Sequence, residues 1–477
     1  MKPPAIYRSQ QLSPRRRGEH GVTMVLMALA MVAILAMAAL SIDVVTLYLA
    51  NAEAQRSADS AALAAARVLS ISGMTGDPSN SAAGAITNPW QQACTLATSV
   101  ATAVATQNTM GGAALSTSQI SVTYPNNSDT TNCTGTDAAF GVNPLVTVKV
   151  QRTDLPTFFA RVWGRTGATV SATATAEAFN SSNSGNVGNV STANITPVQP
   201  RCVKPWIVPN QDPGNAPVSC TGAGCPSFVN NSDGSITTKG IMVNNTPPGV
   251  IGRTFNLFAD CNPAGPCATP SDTVLPPQAN VSPTPPSLQY VPGQLPASST
   301  AVPSCASSDF QEAIAGCDQT TRYQCGNDEL QSTVDLGQNN VPSDSALGGQ
   351  CLIRATSDGP DMGQDTLDPS SYPYKITTGS ANPLGLSLDS VITSSNSIVS
   401  FPIYDSAPPA PPINTPGTTL VTVIGFLQVF INSVNTGNNS VNVTVLNVAG
   451  CGNGTNPTSN RAVSGTSPVP VRLITYP

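Results

Sequence analysis

Twelve cysteines and one histidine are the residues of this 477-residue chain with the widest chemical reach. A thiol can pair as a disulfide, ligate zinc or act as a nucleophile, and the last two roles normally recruit histidine as co-ligand or base. The only histidine, His20, precedes a long apolar run, whereas all the thiols follow it: Cys94, Cys133, Cys202, Cys220, Cys225, Cys261, Cys267, Cys305, Cys317, Cys325, Cys351 and Cys451. No Cys–His or Ser–His–Asp arrangement can therefore assemble beyond that run, and the sequence has no Cys-x-x-Cys, Walker loop, dinucleotide-binding glycine pattern or His-Glu-x-x-His. Asp358, Asp361, Asp365 and Asp368 crowd a Gly/Pro loop, but their spacing lacks the alternate ligands and terminal Glu of a calcium loop, so they read as a solvated loop. The expectation is no catalytic residue, no metal, no cofactor and no small-molecule substrate. An even number of cysteines on an oxidising side reads as disulfides with open connectivity, and Cys220–Cys225, Cys261–Cys267 and Cys317–Cys325 are close enough in sequence to pin local loops.

The element that sorts these residues into two compartments is the run Val22–Ile42, whose only polar members are Thr23 and Ser41. A helix crossing a bilayer needs about 20 such residues. Its length exceeds the 7–15 residues usual for a signal-peptide core, so a retained anchor is favoured over cleavage at the small-x-small triplet Ala36-Met37-Ala38. Residues 1–42 carry five basic side chains against Glu19, a net of +4, and residues 43–477 carry 15 basic against 25 acidic, a net of −10. Basic flanks stay in the cytoplasm, so Arg15, Arg16 and Arg17 set the topology with the N-terminus inside and the bulk outside. They make a poor twin-arginine export signal, because the polar Gly18-Glu19-His20 follows where apolar residues are needed. An acidic ectodomain with only 10% charged residues has no basic patch for phosphates, which excludes nucleic acid as a partner.

The helical pattern does not stop at the membrane. No Gly or Pro occurs before Gly73, and Ala, Leu, Gln and Arg cost a helix little, so one helix of about 70 Å is expected from Val22 to Leu69. Arg16-Arg17-Gly18, Asp43-Val44, Leu47-Tyr48-Leu49, Gln55 and Ala58-Asp59-Ser60-Ala61-Ala62-Leu63-Ala64-Ala65-Ala66 together resemble the N-terminal module of Tad/Flp (tight adherence) pilus assembly proteins of the TadE/TadG type. The resemblance implies a single-pass inner-membrane component of a bacterial pilus machine, with pilus-assembly or pseudopilin proteins as partners and no enzymatic activity. Pilin-like precursors of the wider class are cut after a Gly with Glu five residues on, whereas Gly18 and Gly21 are followed there by Thr23 and Leu26. Some larger TadG-like relatives carry an Asp-x-Ser-x-Ser adhesion loop; Asp233-Gly234-Ser235-Ile236-Thr237 is similar to it but follows polar Asn230-Asn231-Ser232 instead of a buried strand. On the helix, the small residues Ala58, Ala61, Ala62 and Ala65, beside Leu63 and Asp59, suit either close approach of a partner helix or a plain helix surface.

Further along, Gly73–Asn88 is a loop and Pro89–Asn108 a second helix whose Leu96, Ala97, Val100 and Val104 give an apolar face towards the first. Gln119–Tyr124, Leu145–Arg152 and Ala168–Phe179 alternate as half-buried strands, with the short aromatic Thr157–Gly164 between the last two, and Cys94 with Cys133 can clamp helix to sheet. This order resembles the first extracytoplasmic domain of the same family, a helix-plus-antiparallel-sheet unit closing near residue 180. Residues 181–197 are a Ser/Asn/Gly linker, and from Pro197 onward lie 35 of the 43 prolines, which neither hold ladder hydrogen bonds nor continue helices. Apart from a short helix at Gln311–Cys317, that region gives few elements before about 395. Leu420–Val434, Val441–Val448 and Val469–Tyr476 then read as a terminal antiparallel sheet.

The sequence thus predicts an α+β protein: a cytoplasmic basic stub (1–21), a transmembrane helix (22–42), its extracytoplasmic extension (43–72), an α+β domain (73–180), a linker (181–197) and a Pro/Cys-rich β-containing region (198–477). The expected function is a membrane-anchored pilus assembly component, and the alternative is a secreted or surface-exposed adhesin with a Pro/Cys-rich binding region.

Overall fold

The computed structural model describes residues 20–76, 80, 88–164, 167–180, 182, 198–217, 220, 224–231, 234–244, 249–260, 279, 286–293, 295, 305, 308–317, 323, 332–335, 341–407, 418–451, 463–465 and 467–475. Helix α1 (His20–Ile71) is one uninterrupted element of 52 residues, roughly 78 Å long at about 1.5 Å per residue. It stops at Gly73, whose φ of +70° is left-handed and whose Cβ, if present, would lie 2.5 Å from the Ile251 side chain and from the Leu446 carbonyl. Conformation and space both require glycine at this helix end.

The two halves of α1 differ in what surrounds them. From Val22 to Ile42 every large apolar side chain is exposed, whereas Ala50, Ala54, Ala58, Ala61, Ala62, Ala65, Ala66, Val68 and Leu69 are buried. That upper stripe lies on an antiparallel sheet of β1 (Ile120–Thr123), β2 (Leu145–Leu155) and β3 (Ala168–Ala178), with α2 (Pro89–Gln107) alongside. Val146, Val148 and Val150 of β2 and Ala172, Ala174 and Ala176 of β3 face it, so small residues on both sides bring helix and sheet close together. α2 presents Trp90, Ala93, Cys94, Ala97, Ala101 and Ala105 to the core, while Leu96, Val100 and Val104 are only partly buried at its margin. The expected Leu/Val face is thus displaced by an alanine face, because a small-residue stripe on α1 admits a neighbouring helix at close range only if that helix is also small. Cys94–Cys133 ties α2 to the loop after β1, over an edge-on aromatic cluster of Trp90, Phe140 and Tyr124. Thr157–Gly164 is a bend followed by a 3-10 turn, Ala160–Trp163, and not a strand.

The Pro-rich region closes a six-stranded barrel from β4 (Trp206–Pro209), β5 (Thr254–Ala259), β6 (Ser287–Pro292), β7 (Ile398–Tyr404), β8 (Val423–Asn435) and β9 (Ser440–Gly450), in the order β7-β8-β9-β5-β6-β4. The pairs β5/β6 and β4/β7 are parallel and the other four antiparallel. Helix α3 (Asp309–Ala315) starts at Ser308, whose hydroxyl accepts from the Gln311 N–H, and α4 (Val341–Ile353) covers the barrel wall. Ser345 of α4 takes the Trp206 indole N–H at 3.1 Å and bonds the Tyr290 hydroxyl.

Two expectations are corrected here. β10 (Val471–Ile474), read from the sequence as part of a sheet with 420–434 and 441–448, instead pairs antiparallel with β3, Val471 opposite Ala178 and Leu473 opposite Ala176. Cys317, close enough in sequence to pin a loop with Cys325, bonds Cys202, 115 residues away in sequence but 4.4 Å away between Cα atoms. Sequence proximity loses to the fold, which also joins Cys305 to Cys351 and keeps the local pair Cys220–Cys225. Cys451 is disulfide-bonded as well, and no described cysteine is free. Cys261, Cys267 and Cys325 lie outside the described residues, as does the linker apart from Ser182, which accepts the Gly450 N–H at 2.6 Å.

Because Ala61 and Ala65 are wholly enclosed, Ala61→Leu or Ala65→Leu is expected to lower stability by about 1–3 kcal/mol through overpacking, read as a drop in the thermal unfolding midpoint of the purified chain. Cys94→Ala with Cys133→Ala opens a 39-residue loop, and the same measurement should show a loss of about 3–4 kcal/mol.

Candidate membrane-proximal site

Asp43 is the first buried side chain of α1, one residue beyond the apolar run, and is 3% exposed. After the end of β2, the bend at Phe158–Phe159 lies against it. The Asp43 carboxylate accepts backbone N–H bonds from Phe158 at 2.9 Å, Phe159 at 3.0 Å and Ala160 at 2.7 Å. These donors open the 3-10 turn, where N–H groups have no partner within the turn itself. Burial pushes the carboxyl pKa up, but the three N–H bonds to the charged form outweigh it and hold Asp43 below the usual carboxylate range. The clamp leaves Phe158 61% and Phe159 38% exposed beside the membrane end of the domain.

The remaining residues of the predicted motif divide between two faces. Tyr48 is 73% exposed and lies with Val44, Val45 and Leu49, also exposed, on the side of α1 away from the domain. About two turns above Tyr48 this outer face becomes polar, where Gln55 donates to Asp59 Oδ1 at 2.8 Å; Glu53 instead faces the domain and accepts the Gly111 N–H at 2.7 Å. Ala58, Ala61, Ala62 and Ala65 are fully buried and Leu63 half-buried within this chain. The small-residue face, read from the sequence as either room for a partner helix or plain helix surface, is occupied by the chain's own sheet and α2. Of the motif, Tyr48 and Gln55 are exposed, and Asp59, like Leu63, is half-buried. Phe158 and Phe159 were missed; the available signal was an aromatic pair after a proline, between two strands.

Arg15, Arg16, Arg17 and Asp233 lie outside the described residues. In the acidic loop, Asp358 accepts from the Thr436 N–H and hydroxyl, Asp365 from the Gly379 N–H, Asn382 and Ser395, and Asp368 from the Ser370 N–H. These carboxylates cap turns. A cavity of about 650 Å³ near the Cys202–Cys317 and Cys305–Cys351 bridges is lined by Arg67, Lys204 and Arg354, with no carboxylate among its described lining. Burial pushes the Lys204 ammonium down to about 7, and it donates to the Gly316 carbonyl at 2.5 Å.

Residues 21–68 match the model of the family described as putative Flp pilus-assembly TadE/G-like. No curated protein and no solved structure matches the chain. The matched stretch is nearly the whole of α1, so the TadE/G-like module and the helix that runs from the apolar stretch into the domain core are one object, and its lower half is long and apolar enough to cross a membrane.

Since the depressed Asp43 pKa stabilises the clamp only while the carboxylate is charged, that contribution is present above the unfolded value of about 3.9 and is lost as pH falls through and below it. Asp43→Asn should flatten this pH dependence. Asp43→Ala leaves three N–H groups without their acceptor and should speed proteolytic cutting within residues 157–164 at neutral pH, with α1 still in the membrane.

Proposed function

We propose that this chain is a single-pass, TadG-like structural component of a Tad/Flp-type pilus assembly machine in the bacterial inner membrane, with its N-terminus in the cytoplasm and its bulk outside. The observation that carries this reading is the coincidence of the family match at 21–68 with a helix whose lower half is apolar on every side and whose upper half is the spine of the first domain. The basic residues before the run and the acidic balance after it support the orientation. A non-catalytic role is supported by the absence of histidine beyond residue 20 and by carboxylates engaged in turn capping. Partners among pilus-assembly or pseudopilin proteins would meet α1 on the outer face marked by exposed Tyr48 and Gln55, with half-buried Asp59 bonded to Gln55, because the alanine face is enclosed.

A photo-crosslinking amino acid at Tyr48 in cells that build the pilus should capture another pilus-assembly protein. Recovery of the protein in culture medium, shortened near Ala38, would overturn the anchored assembly reading in favour of a secreted adhesin.

A further inference from the structure

Among the described residues, the Phe158–Phe159 tip is an exposed apolar feature that the fold and the proposed role leave unused. Soluble surfaces carry scattered apolar residues, but here two adjacent aromatics are held outward by a specific device: their own backbone N–H groups, with that of Ala160, are fastened to a buried carboxylate. That carboxylate belongs to Asp43, which fixes the height of the tip along α1. The run Val22–Ile42 is about 31 Å long at 1.5 Å per residue, close to the roughly 30 Å of a hydrocarbon core, so its upper end falls at the lipid boundary. A segment bonded to residue 43 lies in the interfacial layer directly above. Aromatic side chains collect there, and exposed Arg161 two residues on supplies a cation of the kind that lipid phosphates attract. The exposed Val44, Val45, Tyr48 and Leu49 extend the same apolar level by six residues, about 9 Å, up the helix.

We propose that Phe158 and Phe159 form a membrane foot, inserting into the outer interfacial layer of the bilayer that α1 crosses, so that the domain meets the membrane at two points and its tilt on the surface is restrained. Asp43 is the positioning residue: it touches no lipid but sets the height and direction of the foot. The occupant is the lipid surface, because the tip is continuous with the membrane-crossing run through a direct hydrogen-bonded contact. The inference rests on the membrane-anchored reading of α1, and its test separates the two.

The full-length protein is reconstituted in nanodiscs of phosphatidylethanolamine and phosphatidylglycerol, with and without bromine on the acyl chains, as three single variants: Phe158→Trp, Phe159→Trp and Met31→Trp. Tryptophan emission beyond that of the parent reports each site. Met31→Trp emission should be lost in brominated discs, which confirms the anchor, and the Phe158→Trp and Phe159→Trp emission should be partly lost and blue-shifted, which places the foot in lipid. Adding Asp43→Ala to Phe158→Trp should abolish that quenching while Met31→Trp remains quenched. Loss at Met31 with emission at 158 and 159 open to aqueous acrylamide would overturn the foot and leave the anchor standing. Emission at 158 and 159 shielded from both bromine and acrylamide would overturn it in favour of burial within the protein or against a second copy of the chain. No quenching at Met31 would overturn the anchored reading itself, and the foot with it.

Discussion

One continuous helix has to serve two solvents, and the rest of the structure follows from that. In lipid, α1 must offer apolar atoms on every side and satisfy its backbone internally. Above the lipid it must bury only one stripe. The helix meets both demands without a break because alanine propagates a helix well, and because Ala50 to Leu69 supply a flat stripe onto which a sheet can be laid. The first domain is assembled on the helix that anchors it. Bulk at Ala61 or Ala65 is therefore a fault of the core before it is a fault of any interface.

Polar contacts pin this spine at both ends. At the lipid end, the Asp43 carboxylate gathers three N–H groups. At the far end, Ser70 donates to the Val469 carbonyl at 2.6 Å, Asn447 donates to the Ser70 carbonyl, and Asn180 bridges Thr75 at 2.9 Å and Val448 at 3.2 Å. These groups are fully buried, where satisfied hydrogen bonds are strong and unmet ones costly, so the register between α1, the sheet and barrel strand β9 is specified closely. β10 adds a backbone ladder between the C-terminal segment and β3. The chain thus leaves the first domain, builds the barrel and returns.

This arrangement bears on how a pilus machine would use the protein. A domain continuous with its anchor transmits tilt and rotation of the membrane helix directly, whereas a domain on a flexible linker would not. The alanine face is closed, and the outward face passes from apolar at Tyr48 to polar at Gln55 within about two turns. A partner that recognises this module reads a narrow band just above the membrane.

What the sequence determined alone was anything carried by local composition or period. The apolar run, the uninterrupted helix past it, the helix at Pro89 and the strands at 145–152 and 168–179 were legible because each announces itself within a few residues. The family motif was legible for the same reason, but its meaning was not: which alanines face inward depends on the valines of β2 and the alanines of β3, far away in sequence. The barrel was hidden because β4 and β6 are short and almost wholly buried, which erases the alternation that marks a half-buried strand. The pairing of Cys202 with Cys317 and of β10 with β3 had to wait for the tertiary structure, since long-range closure leaves no local trace. Asp43 could be seen at the membrane exit, yet its role depends on three backbone N–H groups 115 to 117 residues away, which only the folded chain brings to it.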